Sequence, residues 1–182
     1  NFALLDQIEA LKWVQQSIAS VGGDANNVTI FGQAAGGGAV CRLLATPLTE
    51  GLIDRAVIQS SACTAGEITK EAAHTSGQSY AVAAGCSDGP NQLDCLRKAW
   101  PAALVQAQAV VNRTSAYTGT TVLPQSSGAA IADGNWHKVP VIVGNTRWEQ
   151  KLQNQQLADI TEAEYEAMVM EDYGELAGPL VL

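Results

Sequence analysis

Val28-Thr29-Ile30-Phe31-Gly32-Gln33-Ala34-Ala35-Gly36-Gly37 is the stretch on which the fold of this chain turns. Its first four residues are β-branched or apolar throughout, which predicts a strand buried on both faces of a parallel sheet. Gly32 ends the strand. From Ala35 to Leu44 the residues are small and then apolar, a helix packed close at its start and closed by Pro47. A strand that enters a tight, glycine-flanked turn and leaves as a helix thrusts one side chain out at the carboxyl edge of a sheet. Here that side chain belongs to Ala34, a methyl group that cannot attack a carbonyl. Two other readings of the segment stand beside a reactive turn. One is a close-packed strand-to-helix corner with no chemistry. The other is dinucleotide binding, because Gly32-x-Ala34-x-x-Gly37 after a strand imitates a G-x-A-x-x-G fingerprint. That fingerprint wants an acid at the end of the next strand to hold a ribose hydroxyl, and the next strand ends in Gln59-Ser60.

Working upstream, Leu4, Leu5, Ile8, Leu11, Val14 and Ile18 recur at three- and four-residue spacing, which predicts an amphipathic helix from Leu4 to about Ser20. Gly22-Gly23 halts it and Asp24 to Asn27 form a turn. Downstream, Ala56-Val57-Ile58-Gln59 is a second buried strand and Val139-Pro140-Val141-Ile142-Val143 a third, with proline at its entry. Helices are expected from Thr69 to Ala84 and from Asp94 to Ala109, the latter broken at Pro101. Thr161 and Glu164 make a capping box for a last helix running to about Glu171. Strands separated by helices indicate an α/β fold with a mostly parallel sheet.

The whole chain of 182 residues is 47% hydrophobic and 15% charged. An average soluble domain carries about 25% charged residues, so more of this surface than usual is expected to be covered by something else. Ten Lys plus Arg against 18 Asp plus Glu leave a net charge of -8, with no basic cluster, which disfavours nucleic acid and anionic membranes as partners. No apolar run reaches the roughly 18 residues of a membrane span. The chain opens at Asn1 without a methionine or a leader pattern, the expectation for a processed chain or a fragment. Four cysteines lack the paired spacing of a zinc site, and no metal or cofactor is expected.

Several short motifs in a fixed order resemble the type B carboxylesterases, the cholinesterase-like family of α/β hydrolases. Leu5-Asp6-Gln7 within Asn1–Gln7 is similar to that family's N-x-G-L-x-D-Q, and Ala10-Leu11-Lys12-Trp13-Val14 to its A-L-x-W-V. Gly22-Gly23-Asp24 resembles the G-G-D before the nucleophile strand. Gly51-Leu52-Ile53-Asp54-Arg55-Ala56 and Gln59-Ser60 resemble the G-L-F-x-R-A and Q-S-G after it. Gly32 and Gly36 fit the outer positions of G-x-S-x-G. The resemblance implies that residues 1–182 are the central segment of one α/β-hydrolase domain, a partial α/β-hydrolase fold with helices on both faces of the sheet and its N- and C-terminal parts absent.

In such a domain Ala34 stands where the nucleophilic serine would be, and the backbone N–H of Ala35 is one oxyanion-hole donor. Val143 to Gln150 resembles the strand end and loop carrying the triad acid, which makes Glu149 the candidate, although Trp148 and Gln150 depart from the family's D-E-G. The general-base histidine is expected beyond Leu182. His74 and His137 match no family motif and read as surface or packing residues. Gln33 and Ser60 are candidate substrate contacts. Gln33 occupies a position where the cholinesterase-like pattern has Glu, and an amide does not attract a quaternary ammonium.

The implied ligand is a small-molecule carboxylic ester, hydrolysed through an acyl-enzyme in intact relatives. With Ala34 in place the chain is expected to be inactive; the competing class is a binding or adhesion module built on the silent fold. The family's similar small loop, and a separation of nine positions, suggest a disulfide between Cys86 and Cys95 and hence a secreted or periplasmic setting. Cys41, on the apolar face of the helix after Ala34, reads as a buried free thiol, and Cys63 carries no signal. Asn27-Val28-Thr29 and Asn112-Arg113-Thr114 fit the glycosylation pattern by chance. A strand at Val28 to Phe31 lacking an upstream neighbour is expected to make the chain self-associate.

Overall fold

The computed structural model describes residues 1–64, 66–109, 111, 115–147, 149, 160–168 and 170. Two compact units divide the chain, Asn1–Asn145 and Thr146–Leu182.

The first unit holds a parallel sheet in the order β1-β2-β3, formed by β1 (Thr29–Gln33), β2 (Arg55–Gln59) and β3 (Val141–Gly144). Ile30 pairs with Ala56 and Ala56 with Val141, so the three expected strands lie side by side in register. Parallel neighbours require a crossover, and α2 (Ala35–Ala45) supplies the one between β1 and β2. The first helix, α1, runs Phe2–Ser17 and tightens into a 3-10 turn at Ile18–Val21. Gly22, at φ 88°, then caps the turn in the left-handed conformation that a side chain resists. Leu4, Ile8 and Leu11 of α1 pack with Val40 and Leu44 of α2 and Ile58 of β2 in one core. Asp54 accepts the Val28 N–H at 2.7 Å, tying the entry of β1 to that of β2.

Strand β1 departs from the expectation of burial on both faces. Its residues alternate exposed and half-buried, and Phe31 is 76% exposed. The same row of the sheet carries Ile142, which is also exposed. The covered face belongs to Ala56 and Ile58, which meet the helices. An apolar β-branched run thus specifies the strand, while the cover of each face depends on distant chain. Within the described residues β1 pairs with β2 alone.

The expected break at Pro101 is present, α4 (Gln92–Lys98) stopping before α5 (Pro101–Ala107), where the proline takes the first helical position. Helix α3 spans Lys70–Ala83, capped by the Thr69 hydroxyl, which accepts from the Ala72 N–H. A short helix not anticipated from the sequence, α6 (Ser127–Ala132), is capped by Ser126 and sets Ala130 in the core. Cys86 and Cys95 form the expected disulfide. Cys41 is not a free thiol: it is bonded to Cys63, with Cα atoms 5.3 Å apart. That bond closes a loop of 22 positions between α2 and the segment after β2, worth about 3 kcal/mol by chain entropy.

In the second unit, residues 162–168 are helical. Glu164 accepts the Thr161 N–H and hydroxyl, both at 2.8 Å, and the Thr161 hydroxyl accepts the Glu164 N–H, the reciprocal box expected from the sequence. These bonds to the charged form hold the Glu164 carboxyl below the usual glutamate range, the Thr161 N–H first and its hydroxyl second. Trp148, Gln150, the end of the expected last helix and the second glycosylation triplet lie outside the described residues.

Candidate functional site

Gln33, Gln59 and Gly144 lie side by side at the carboxyl ends of the three strands. The next residue after each of the first two strands makes a sharp departure. Ala34 has φ 52° and ψ −118°, and Ser60 has φ 49°. Among the described residues these are the two non-glycine positions with positive φ. Both are pinned to the neighbouring strand: the Ala34 N–H donates to the Gln59 carbonyl at 3.0 Å, and the Ser60 N–H to the Gly144 carbonyl at 2.8 Å. Strained backbone gathered at one sheet edge is where ligand chemistry is commonly sited.

The turn at Ala34 is set by close approach of backbone. A Cβ on Gly32 would lie 2.3 Å from both C and O of Gly36, and one on Gly37 would lie 2.6 Å from the Ser61 Cβ. Gly36 differs, since a Cβ there would meet nothing within 4 Å. The pattern therefore needs Gly32 and Gly37 for space, while Gly36 offers its bare main chain to Gly32. Helix α2 starts at once: the Gly38 N–H donates to the Ala34 carbonyl at 3.1 Å, so the N–H groups of Ala35 to Gly37 have no acceptor within the helix. The N-terminal end of α2 thus presents partial positive charge at the turn.

A cavity of about 600 Å³ opens beside Ala34 and Ala35. Phe2, Leu4 and Gln7 of α1 wall one side of it, and Gly38 and Arg42 of α2 another. Ser60 is half-buried and Gln33 exposed at the strand ends. Glu149 is exposed, and its Oε1 accepts the Thr146 N–H at 2.7 Å. His74 is exposed on α3. His137 is a packing residue, donating from its main chain to the Leu44 carbonyl at 2.9 Å and from Nε2 to the Thr46 carbonyl at 2.7 Å. Neither histidine lines the cavity.

One polar cluster at the cavity was not anticipated. Arg42 donates from Nε to Oε1 of Glu67 at 2.9 Å, and the Ser127 hydroxyl donates to the same oxygen at 2.8 Å. The sequence signal was a cation inside the apolar run Val40-Cys41-Arg42-Leu43-Leu44, since a charge set among core residues must find a partner. Among the described residues no group of His, Cys, Asp and Glu is placed to hold a metal ion.

Residues 1–173 match the family model described as the carboxylesterase family. The chain is 34% identical over 153 residues to carboxylesterase 1C of Rattus norvegicus, covering 82% of this chain and 28% of that protein. It is 34% identical over 162 residues to the para-nitrobenzyl esterase of Bacillus subtilis (strain 168), covering 84% of this chain and 32% of that one. A solved PNB esterase superimposes with a TM-score of 0.80 at 31% identity, over 99% of this chain and 39% of that structure. The chain thus spans about a third of the length of the relatives it matches, and its architecture is that of part of an α/β-hydrolase esterase.

Proposed function

The chain belongs to the carboxylesterase family, and from that premise we propose that it is the central segment of a carboxylic ester hydrolase domain whose binding side is kept and whose reaction is silenced at Ala34. The observation that carries this reading is the turn itself: Ala34 projects from the strand-to-helix corner, at φ 52°, beside a cavity of about 600 Å³. A serine at such a corner attacks the ester carbonyl while a base takes its proton; the acyl C–O bond then breaks, the alcohol leaves with that proton, and the acyl group stays on the serine oxygen. The methyl of Ala34 has neither lone pair nor proton, so no covalent bond to the acyl carbon forms. The Ala35 N–H is the oxyanion donor in this reading, and it belongs to the backbone, so it is independent of the side chain at 34. Glu149, which follows β3 in the sequence, is the candidate acid. Neither histidine is given the base role, since neither lines the cavity. Relatives named for carboxyl and para-nitrobenzyl esters support a small carboxylic ester as the ligand. With Gln33 and Ser60 as contacts, a neutral alcohol portion suits the site better than a cationic one, because Gln33 offers no charge.

The same reading gives a second copy of the chain as a partner, met along the edge of β1 that pairs with no strand among the described residues. The proposal is tested by combining hydrolysis with binding. A short-chain nitrophenyl ester is expected to give no product above a buffer blank, and Ala34→Ser alone to give none either, for want of a base at the cavity. Ester addition is expected to shift the amide resonances of Ala34 and Ala35. Turnover by the unaltered chain refutes the silencing, and unshifted amides at saturating ester refute the binding.

A further inference from the structure

We propose that Arg42 is a specificity-determining residue: it reads a free carboxylate on the ester held beside Ala34. The proposal rests on the ester-binding reading above and names the substrate class within it. Arg42 lies eight residues beyond Ala34, two turns along α2, with its side chain 20% exposed and lining the same cavity. Its partner Glu67 is 3% exposed and is fastened from behind by the Ser127 hydroxyl. Glu67 engages the guanidinium through Nε alone. Among the described residues no hydrogen bond leaves Nη1 or Nη2, the fork at the end of the side chain.

Two glycines flank that fork. A Cβ on Gly38 would lie 3.7 and 3.9 Å from Nη1 and Nη2, and one on Gly66 would lie 3.0 Å from Nη2. Both glycines line the cavity, as do Ser61 and Ser115, whose hydroxyls add donors. The guanidinium is held at Nε, is 20% exposed, and has its Nη atoms beside two glycines that line a cavity of about 600 Å³. Parallel N–H groups in a plane match the two oxygens of a carboxylate, which an ammonium does not. The Glu67 charge stands behind Arg42 and weakens the attraction, so the gain expected is that of one charge-assisted contact, about tenfold or more in affinity.

The test uses the full chain and follows the amide resonances of Gly38 and Gly66 as ligand is added. The probes are monomethyl glutarate, with its carboxylate on the acyl side, O-acetyl lactate, with its carboxylate on the alcohol side, and neutral dimethyl glutarate. At least one charged probe is expected to bind about tenfold or more tighter than the neutral ester, and the better of the two identifies the end that Arg42 reads. The comparison of probes needs no variant. Arg42→Gln alone strands the buried Glu67 charge, so the variant used is Arg42→Gln with Glu67→Gln, in which the charged-ester preference is expected to disappear. Arg42→Lys is expected to retain only part of it. If all three esters bind with equal affinity, Arg42 is merely the partner of Glu67, and the ester-binding reading stands without it. A preference that survives in the double variant also overturns the proposal. Binding of none of the three overturns both.

Discussion

Ala34→Gly is expected to make the first unit more stable, although it deletes a methyl group and adds a glycine. Ala34 has φ 52° and ψ −118°, close to the first central position of a type II′ turn, where glycine is the favoured residue. A side chain held in such a sparsely populated region costs about 1–3 kcal/mol. Against that relief stands the extra freedom that glycine gives the unfolded chain, about 0.4–1 kcal/mol. The difference leaves a gain centred near 1 kcal/mol, between nothing and about 2.5 kcal/mol. Ala34 is exposed, so the lost methyl contributes little packing. With a urea slope of about 2 kcal/mol/M, the midpoint is expected to rise by about 0.5 M. Ala34→Val, β-branched at the same φ, is expected to lower it by at least as much. Urea titrations of the three proteins, followed by tryptophan fluorescence and repeated at two concentrations, decide it. A midpoint for Ala34→Gly below that of the unaltered chain, with Ala34→Val unchanged, shows that the turn carries no strain, and the reasoning fails.

Gly32→Ala is expected to be severely destabilising, by about 3 kcal/mol or more, because its Cβ would meet main-chain atoms at 2.3 Å that no rotamer change moves. Gly36→Ala in the same urea assay is expected to be neutral or stabilising, by up to about 1 kcal/mol, since its Cβ meets open space in the first turn of a helix. The Glu164 carboxyl, lowered by its bonds from Thr161, stabilises the 162–168 helix above the ordinary glutamate range and loses that contribution as pH falls through its own depressed value. The Thr161 amide shift is expected to titrate below the range of a free glutamate and to stop doing so in Glu164→Gln. Size-exclusion chromatography with light scattering is expected to find species above 19.0 kDa, and a lysine at Phe31 to reduce them; a monodisperse monomer with a cooperative melt refutes pairing along β1.

What was legible in the sequence was whatever short-range chemistry fixes. The corner at Gly32–Ala35 follows from glycine spacing between an apolar strand and a helix. The break before Pro101 follows from a missing N–H, and the Thr161–Glu164 box from two side chains three residues apart. Each of these involves fewer than ten residues. Burial of β1 was misjudged because β-branched residues report a strand, while the cover of its two faces is supplied from elsewhere, and Phe31 is exposed. The bond between Cys41 and Cys63 joins α2 to a segment beyond the next strand, a meeting produced by the crossover and by no local pattern. Arg42 and Glu67 are 25 positions apart and meet for the same reason. Helix α6 is short and rich in small residues, and its place depends on Ala130 entering a core already built.

In the proposed ester site, binding and reaction would depend on different parts of the chain. The direction of residue 34 is fixed by the Ala34 N–H on Gln59, by the Gly38 N–H on Ala34 and by the contact of Gly32 with Gly36, all of them main-chain interactions. The donors at the head of α2 are main chain as well. None of these changes when the side chain at 34 changes between serine and alanine, whose Cβ positions coincide. An alanine there removes the nucleophile and leaves the approach of a ligand carbonyl as it was. Arg42, eight residues further along in α2, keeps its register to the corner in either case. Selectivity measured by binding on this chain is therefore the selectivity that a serine at position 34 would inherit.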